Sequence, residues 1–483
     1  MHPAIIMRVL GVLLMIYSTT MLPPVVVALI YDDGGHTLFL TAFAITLVSG
    51  VICWLPVHNR HDELRVRDGF FVVVLFWTVL GLYGAIPFLL GDKPDMNIAE
   101  AVFESISGLT TTGATVIQDL DDLPKSILYY RQQLQWLGGM GIIVLAVAIL
   151  PLLGIGGMQL YRAETPGPMK DHKLTPRIAE TAKALWTLYV CLTFVCAITY
   201  WFLGMDAFDA ISHSFSTIAI GGFSTHNESI GYFNNPGIEV ATIIFMAIAG
   251  INFGLHFLAW RRKELTHYWS DPELRFYFQV LFSIATIACL VLYFDGTYDN
   301  NWDAFRHAIF QTVSTATTTG YSVADSSQWH PLIPTALLMG SFIGACAGST
   351  GGGIKVIRML LMFKQGLREM RRLIHPNAIM VIKLNNKAVP DRVIEAVWGF
   401  FGVYMVCFCV LFLCILATGV DFVTGFSAIA ACINNLGPGL DGVALNYSSI
   451  SDTAKWILCF TMLLGRLEIF TLLVLFTPMF WRH

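Results

Sequence analysis

The chain of 483 residues is 55% hydrophobic and only 13% charged, and its mean hydropathy is +0.65. A water-soluble protein of this size needs more polar side chains to cover its surface, so the composition excludes that class and predicts a chain embedded in lipid. The net charge of −4 is small, and the charges are segregated along the chain, so their placement is more informative than their sum. No nucleic-acid partner is expected.

Apolar runs of about 20 residues, the length that crosses a bilayer, predict ten transmembrane helices. They lie at residues 4–30, 37–57, 69–91, 127–159, 183–204, 236–260, 274–294, 331–362, 393–418 and 453–480. The connections after the even-numbered spans are rich in lysine and arginine, whereas the opposite connections are rich in aspartate. By the positive-inside rule, the chain is a multi-pass membrane protein with both termini in the cytoplasm.

Four short interruptions separate apolar segments at near-even intervals after the second predicted span. Each ends in a glycine, and the four stretches are Thr110, Thr111, Thr112 and Gly113; Ala219, Ile220, Gly221 and Gly222; Thr317, Thr318, Thr319 and Gly320; and Asn434, Asn435, Leu436 and Gly437. In the first three, a serine stands six residues before the final glycine. Membranes tolerate non-helical backbone only where it is buried in protein or lines a wet cavity. The pattern predicts that the four interruptions share one cavity.

The residues before each interruption predict a short helix that descends into the membrane. Asn97, Asp206 and Asp421 are suited to cap the first, second and fourth of these helices, and Asp303 lies close to the matching place in the third. Such a helix descends roughly 15 Å at about 1.5 Å per residue, and its C-terminus carries about half a negative charge. Four such ends aimed at one axis favour a cation there.

The four interruptions contain no acidic or basic side chain. An ion held there is therefore coordinated by backbone carbonyls, with help from threonine hydroxyls, as in a potassium-selective filter. Glycine permits the backbone angles that turn carbonyls inward. The alternative is that these small residues only allow transmembrane helices to pack closely, but a fourfold recurrence favours pore lining.

In these loops and in the order of its spans, the chain resembles the Trk/Ktr/HKT superfamily of potassium uptake proteins, and within it the bacterial TrkH/TrkG type. The resemblance implies an all-α membrane protein with four parallel helix–pore loop–helix repeats, a potassium-channel-like pseudo-tetramer, after a two-helix N-terminal hairpin. The hairpin spans residues 1–66, and the repeats span residues 67–178, 179–268, 269–388 and 389–483.

The same resemblance implies one filter glycine in each repeat, at Gly113, Gly222, Gly320 and Gly437. In plant relatives a serine in the first loop accompanies sodium transport, so Gly113 favours potassium. The resemblance further implies a homodimer in the bacterial inner membrane, a potassium ion in each pore, no covalently bound cofactor, and a cytosolic nucleotide-binding regulatory subunit similar to TrkA.

A glycine-rich run interrupts the eighth predicted span. Its candidate gate residues are Gly344, Gly348, Ser349, Thr350, Gly351, Gly352, Gly353 and Lys355. Each glycine inside a helix costs about 1 kcal/mol relative to alanine, so the run predicts an unwound segment; a packing kink is the alternative. The resemblance implies an intramembrane gate below the filter that moves on activation.

Arg466 lies within the tenth predicted span, where a cation costs about 2.5–3.5 kcal/mol and needs a partner or a function. Glu468 is only two positions away and points elsewhere, which leaves Glu104 as a more distant candidate partner. A charge pair that locks repeats together and a role in the pore both fit the residues. The resemblance implies an electrostatic barrier below the filter. Lys355 either adds its charge to this barrier or snorkels to the inner surface.

Two other function classes fit less well. A proton- or sodium-coupled potassium transporter commonly needs a titratable group in its pathway; the four interruptions offer none, although His213 and Glu104 lie in the descending helices. An intramembrane enzyme is not expected, because the chain has no His-Glu-x-x-His motif and no nucleophile elbow. The basic connections 160–182 and 363–392 are compatible with binding lipid head groups or docking a protein.

Overall fold

The computed structural model describes residues 2–59, 66–141, 178–326, 329–385 and 387–482, and these residues are predominantly helical. The α-helices of the first half are α1 (Pro3–Thr19), α2 (Leu22–Tyr31), α3 (His36–Trp54), α4 (Val66–Gly84), α5 (Ile86–Leu90), α6 (Ile98–Leu109), α7 (Lys125–Trp136), α8 (Ile178–Phe202), α9 (Ala207–Ala219), α10 (Pro236–Ala249) and α11 (Phe253–Arg262). The second half contains α12 (Thr266–Ser270), α13 (Pro272–Asp295), α14 (Asn301–Ala316), α15 (Leu332–Ile343), α16 (Val356–Ile374), α17 (Asp391–Leu416), α18 (Phe422–Ile433), α19 (Asp452–Arg466), α20 (Phe470–Leu473) and α21 (Pro478–Trp481).

Among the described residues, one small antiparallel hairpin is the exception to the helical architecture. Strands β1 (Lys383–Leu384) and β2 (Lys387–Ala388) pair so that Lys383 lies opposite Ala388 and Leu384 opposite Lys387. The hairpin lies between α16 and α17, in a connection that the sequence predicts to be cytoplasmic.

Six helical stretches within the described residues are long and apolar enough to cross a bilayer, and two bent helix pairs raise this number to eight. The fourth predicted span, 127–159, extends beyond the described residues, as does most of the basic connection 160–182. The boundaries of the hairpin and the repeats are not tested by these elements. The ten-span topology therefore stays a prediction.

The sixth and tenth predicted spans, 236–260 and 453–480, are bent rather than continuous helices. α10 and α11 meet at 91°, and α19 meets the following helical turns at 108°. Asn252 starts α11 afresh, because its side chain accepts a hydrogen bond from the backbone N–H of Gly254 at 2.7 Å. Glu468 and Ile469 end α19, because both have positive φ angles, 48° and 60°.

The N-terminal helices α1 and α3 pack along each other through a pair of glycines. A Cβ added at Gly11 would lie 2.8 Å from the carbonyl oxygen of Gly50, and one added at Gly50 would lie 2.9 Å from that of Gly11. Small residues at such a crossing allow close approach of two backbones within a membrane.

Four short helices and the helices that flank them pack in a closed order around the centre of the molecule. Four short helices, α6, α9, α14 and α18, each contact the helix before them and the helix after them. Between these groups, α7 packs against α9, α10 against α14, α15 against α18, and α19 back against α6. The C-terminal ends of the four short helices are thereby brought to a common centre.

Candidate ion-conduction site

Side-chain caps start the four short helices. Asn97 and Glu100 form a capping box at α6, with hydrogen bonds of 3.0 and 3.1 Å between each side chain and the other residue's backbone N–H. Asp206 caps α9 at 2.6 Å, and Asp421 caps α18 at 3.0 Å. These three caps were predicted correctly.

The cap of the third short helix differs from the prediction. Asn300 caps α14, by accepting from the N–H of Trp302 at 3.1 Å. Asp303 instead lies in the first turn and pairs with Arg306 at 3.2 Å. Both residues are polar and close in sequence, but only Asn300 stands before the first helical residue, where the free N–H groups point.

The four short helices end with the same hydrogen bond. In each loop, the N–H of the residue before the final glycine donates at 2.8 Å to the carbonyl of the residue five positions earlier: Thr112 to Ser107, Gly221 to Ser216, Thr319 to Ser314, and Leu436 to Ala431. The bond closes the helix C-terminus in the manner of a Schellman motif. The bond fixes the distance between the helix end and the final glycine, and because it uses a backbone carbonyl, Ala431 makes it as well as the three serines do.

Backbone angles also repeat across the four loops. The final glycines have φ angles of 81° (Gly113), 79° (Gly222), 85° (Gly320) and 97° (Gly437). Two residues earlier, φ is again positive, at 55° (Thr111), 53° (Ile220), 66° (Thr318) and 53° (Asn435), and the residue between them is not in this region. Alternating handedness places successive N–H groups on one side of the backbone, which directs the carbonyl oxygens to the other side.

The loops touch one another in cyclic order. Each final glycine lies against the carbonyl oxygen that precedes the final glycine of the next loop. A Cβ added at these glycines would approach that oxygen to 2.1 Å (Gly113 to Gly221), 2.0 Å (Gly222 to Thr319), 2.2 Å (Gly320 to Leu436) and 2.6 Å (Gly437 to Thr112). The contacts run from the first loop through the second, third and fourth and back to the first. We refer to residues 110–113, 219–222, 317–320 and 434–437 together as the loop ring.

Most carbonyl oxygens of the loop ring remain available to a ligand. Within the described residues, those of Thr111, Thr112 and Gly113 accept no hydrogen bond, and neither do those of Thr319 and Gly320. Three other oxygens do accept one, from a side chain or from the N–H of Gly353: those of Gly221, Asn434 and Gly437. The ring is therefore not closed by internal hydrogen bonding between its own loops.

The threonine hydroxyls of the first and third loops bond within each loop. Thr110 and Thr112 approach to 2.7 Å between their Oγ1 atoms, and Thr317 and Thr319 approach to 2.8 Å. These hydroxyls stiffen the loops. The sequence-based expectation that threonine hydroxyls help to hold an ion has no support from this geometry, which favours the backbone carbonyls.

The glycine-rich segment, residues 344–355, is non-helical and separates α15 from α16. It contacts the C-terminal end of α9 and two of the loops directly. The Thr350 hydroxyl donates to the carbonyl of Ile218 at 3.0 Å, the Gly352 N–H donates to the hydroxyl of Thr318 at 2.7 Å, and the Gly353 N–H donates to the carbonyl of Asn434 at 3.1 Å. The unwound segment was predicted, and it lies against the side of the loop ring from which the short helices' ends emerge.

Contacts on its other side hold the glycine-rich segment in place. One carboxylate oxygen of Glu273 accepts from the N–H of Ala347 at 2.6 Å and from that of Ile357 at 3.2 Å. Ser349 turns back onto the carbonyl of Cys346 at 2.6 Å. The ammonium group of Lys355 donates to the carbonyl of Gly351 and is buried, so Lys355 does not snorkel to the surface.

Arg466, the last residue of α19, joins the first loop to the glycine-rich segment. Its guanidinium donates to the hydroxyl of Thr111 at 3.1 Å and to the carbonyl of Thr350 at 3.2 Å. It also donates to the carbonyls of Gly138 and, at 2.8 Å, Gly139, in the π-helical turn that follows α7. Through Arg466, the segment therefore connects with the first loop as well as with the third and fourth.

The acidic candidates for Arg466 have other partners. Glu104 pairs with Arg131 at 2.8 Å, and both side chains are buried; Glu468 pairs with Arg358. Glu104 as the partner of Arg466 is therefore wrong, because its carboxylate is bound by Arg131 and also accepts from the Thr115 hydroxyl and the N–H of Val116, each at 3.0 Å.

Sequence reasoning missed the polar face of α7. Arg131, Gln132, Gln133 and Gln135 are all buried, although the helix lies in a run that was read as apolar. Polar side chains at membrane depth require partners, so their presence in one predicted span was a signal. The described residues contain no group of three or more His, Cys, Asp or Glu side chains that would hold a metal ion.

Comparisons with known proteins agree with this architecture. Residues 35–483 match the family model TrkH, described as a cation transport protein. The Trk system potassium uptake protein TrkH of Escherichia coli K12 is 56% identical over 483 residues, which is all of both chains. TrkG of the same organism is 42% identical over all of this chain and 99% of its own. The crystal structure of the potassium transporter TrkH from Vibrio parahaemolyticus superposes with a TM-score of 0.91 at 53% identity and covers 100% of each chain.

Proposed function

Because the chain belongs to the TrkH family of cation transport proteins, we propose that it is the ion-translocating subunit of a Trk-type potassium uptake system. Its transported ion is K⁺, and it is a multi-pass membrane transporter rather than an enzyme. The relatives named as potassium uptake proteins match it from end to end, which supports carrying their activity over to the whole chain.

The loop ring is the selectivity filter in this proposal. The observation that carries it is the cyclic contact between final glycines and carbonyl oxygens, which supports an arrangement of one equivalent strand from each loop around one axis. Carbonyl oxygens directed at such an axis replace the hydration shell of a potassium ion. The C-terminal ends of α6, α9, α14 and α18 add their partial negative charges below it.

The glycine-rich segment is the gate, and Arg466 is the cationic barrier beside it. This assignment is supported by the contact of Thr350 with the end of α9, by those of Gly352 and Gly353 with the third and fourth loops, and by that of Arg466 with the first loop. Each hydrogen bond contributes about 1 kcal/mol, so a modest input of free energy suffices to release the segment.

The architecture follows the same proposal: a two-helix N-terminal hairpin, then four helix–pore loop–helix repeats, with ten transmembrane spans and both termini in the cytoplasm. The closed packing order of the helices supports the fourfold arrangement. The protein functions as a homodimer in the bacterial inner membrane, and a cytosolic nucleotide-binding subunit of the TrkA kind regulates it.

Reversal potentials of the purified protein in proteoliposomes test this function. With potassium and proton gradients opposed, we expect the reversal potential to follow the potassium gradient and to ignore a change of one pH unit. A reversal potential that shifts with pH or with sodium indicates a coupled transporter instead. A current without preference for potassium contradicts the assignment of the loop ring as the filter.

A further inference from the structure

The second loop of the ring lacks the internal bracing of the first and third. Those loops carry threonine pairs whose hydroxyls lie 2.7 and 2.8 Å apart. At the matching positions the second loop carries Ala219 and Gly221, which have no hydroxyl. Its geometry is nevertheless the same, with an identical closing hydrogen bond and the same positive φ angles. Another part of the molecule must therefore hold it.

Gln135 on α7 supplies the missing contact. Its Nε2 donates to the carbonyl of Gly221 at 2.5 Å, and its Oε1 accepts from the N–H of Phe223 at 3.0 Å. The side chain is fully buried. The amide of Gln135 thus bonds the backbone on both sides of Gly222. It donates to one residue and accepts from the other, as a neighbouring β-strand would.

Gly221 and Gln135 fill each other's space. A Cβ added at Gly221 would lie 2.4 Å from both Cδ and Oε1 of Gln135. The aligned residues of the first and third loops, Thr112 and Thr319, carry side chains at this position. The amide of Gln135 therefore occupies the place that a threonine side chain takes in the other loops, and this accounts for the double glycine of the second loop.

Two more residues of α7 contact the chain immediately before and after the second loop. Gln132 accepts from the hydroxyl of Ser216 at the end of α9. The Arg131 guanidinium donates to the carbonyl of Ser224 at 3.1 Å and lies 4.2 Å from the ring centroid of Phe223. α7 follows the first loop in the chain, so the first repeat supports the filter strand of the second.

We propose that Gln135 is a positioning residue that sets the ion selectivity of the second filter strand. The inference rests on the proposed function of the loop ring. Gln135 acts through the backbone on either side of Gly222 and fixes the carbonyl of Gly221, which is also the neighbour of Gly113 in the ring. Its loss lets this one strand relax and accept an ion of a different radius.

Substitution of Gln135 by methionine tests the proposal, because methionine has a similar length but neither donates nor accepts strongly. In proteoliposomes, we expect the ratio of potassium to sodium flux to fall about fivefold, the effect of about one hydrogen bond. Gln133→Met is the matched control. Gln133 is a buried neighbour on α7 that donates to the carbonyl of Thr20 at 2.5 Å, so its loss should lower stability and leave the flux ratio unchanged.

A double-substitution cycle tests the complementary fit without relying on that variant. Gly221→Ala alone should lower potassium flux and folded yield, because the new methyl group meets the amide of Gln135. Adding Gln135→Ala removes the obstacle, so the double variant should regain part of both. Effects that simply add would overturn the complementary fit, whether or not Gln135→Met folds.

A third variant separates failure of this inference from failure of the proposed function. Gly222→Ala puts a methyl group 2.0 Å from the carbonyl oxygen of Thr319, so it disrupts any filter built from the ring. If Gly222→Ala abolishes potassium flux while Gln135→Met keeps the normal flux ratio, the role of Gln135 is refuted and the filter stands. If Gly222→Ala also leaves flux and selectivity normal, the filter assignment itself fails.

Discussion

The loop ring and the glycine-rich segment lie side by side, and both depend on glycine, but their contacts are organised differently. In the ring, the same contact occurs four times, from each final glycine to the carbonyl of the next loop. In the segment, each contact is different: the hydroxyl of Thr350 meets the end of α9, and the N–H groups of Gly352 and Gly353 meet the third and fourth loops.

This difference separates a rigid element from a movable one. A closed cycle of equal contacts cannot be opened at one point without straining the other three, which suits a site that must keep a fixed radius. Contacts that differ in chemistry break independently, at about 1 kcal/mol each. The segment therefore has the properties of a two-state element, and the ring has those of a scaffold for an ion.

The largest expected effect comes from a Cβ in the ring. Gly320→Ala forces alanine to a φ of 85° and places its methyl group 2.2 Å from the carbonyl oxygen of Leu436. Left-handed backbone alone costs a non-glycine residue about 1–2 kcal/mol, and the clash adds to it. We expect potassium uptake by a transport-deficient strain to fall at least about tenfold.

Gly402→Ala provides the control for this substitution. Gly402 lies within α17, has no atom within 4 Å of an added Cβ and needs no positive φ. Uptake should remain normal, and stability should rise slightly with the better helix former. Equal uptake by Gly320→Ala and Gly402→Ala would show that a glycine of the loop ring is no more sensitive to an added methyl group than a glycine within α17.

A smaller effect of opposite sign is expected at the connection between the two regions. Arg466→Gln removes a cation and weakens the contacts with Thr111 and the carbonyl of Thr350. We expect potassium flux to rise about three- to tenfold, as when one or two hydrogen bonds that favour the closed state are lost. The potassium-to-sodium flux ratio should stay the same, because the ring is intact.

Arg306→Gln is the matched loss of a half-buried, paired arginine that lies outside the loop ring. Arg306 binds Glu239 and Asp303, each at 3.2 Å, so its replacement should reduce thermal stability only. If Arg466→Gln behaves in this manner, with lower stability and unchanged flux, then Arg466 locks helices together and is not a barrier to ions.

Local patterns in the sequence predicted most of the ring. The glycines that recur after Ser107, Ser216 and Ser314 mark a backbone turn that needs a positive φ, and the caps Asn97 and Asp206 mark the helix starts. Such features depend on a few neighbouring residues, so they can be read without a fold. The interruption of the eighth span was predictable for the same reason, from its consecutive glycines.

The contacts that join distant segments were not predictable. Glu104 was considered for Arg466, although the structure pairs it with Arg131, because charge alone does not say which helix faces which. Gln135 meets a loop that begins 84 residues later in the chain, and no local pattern reveals this contact.

The smallest expected effect concerns a histidine bridge beside the second loop. It tests whether this bridge stabilises the loop ring. His226 bridges Asp121, in the connection after the first loop, at 2.6 Å and Asp209, on α9, at 3.1 Å. Tyr232 stacks on its ring at a centroid distance of 3.5 Å. Burial lowers the pKa of His226, but the hydrogen bonds to Asp209 and Asp121 outweigh it, so the pKa is raised above its usual 6.5.

A raised pKa means that folding favours the imidazolium form, so this stabilisation is fully present below about pH 6.5 and is lost as the pH rises through the folded-state pKa. We expect the unfolding temperature of the purified protein to fall by about 1–2 °C between pH 6 and pH 8 through this group. His226→Gln should flatten that dependence, whereas His36→Gln, at the start of α3, should keep it. A pH dependence that survives in His226→Gln would show that the bridge between the first two loops does not stabilise the ring.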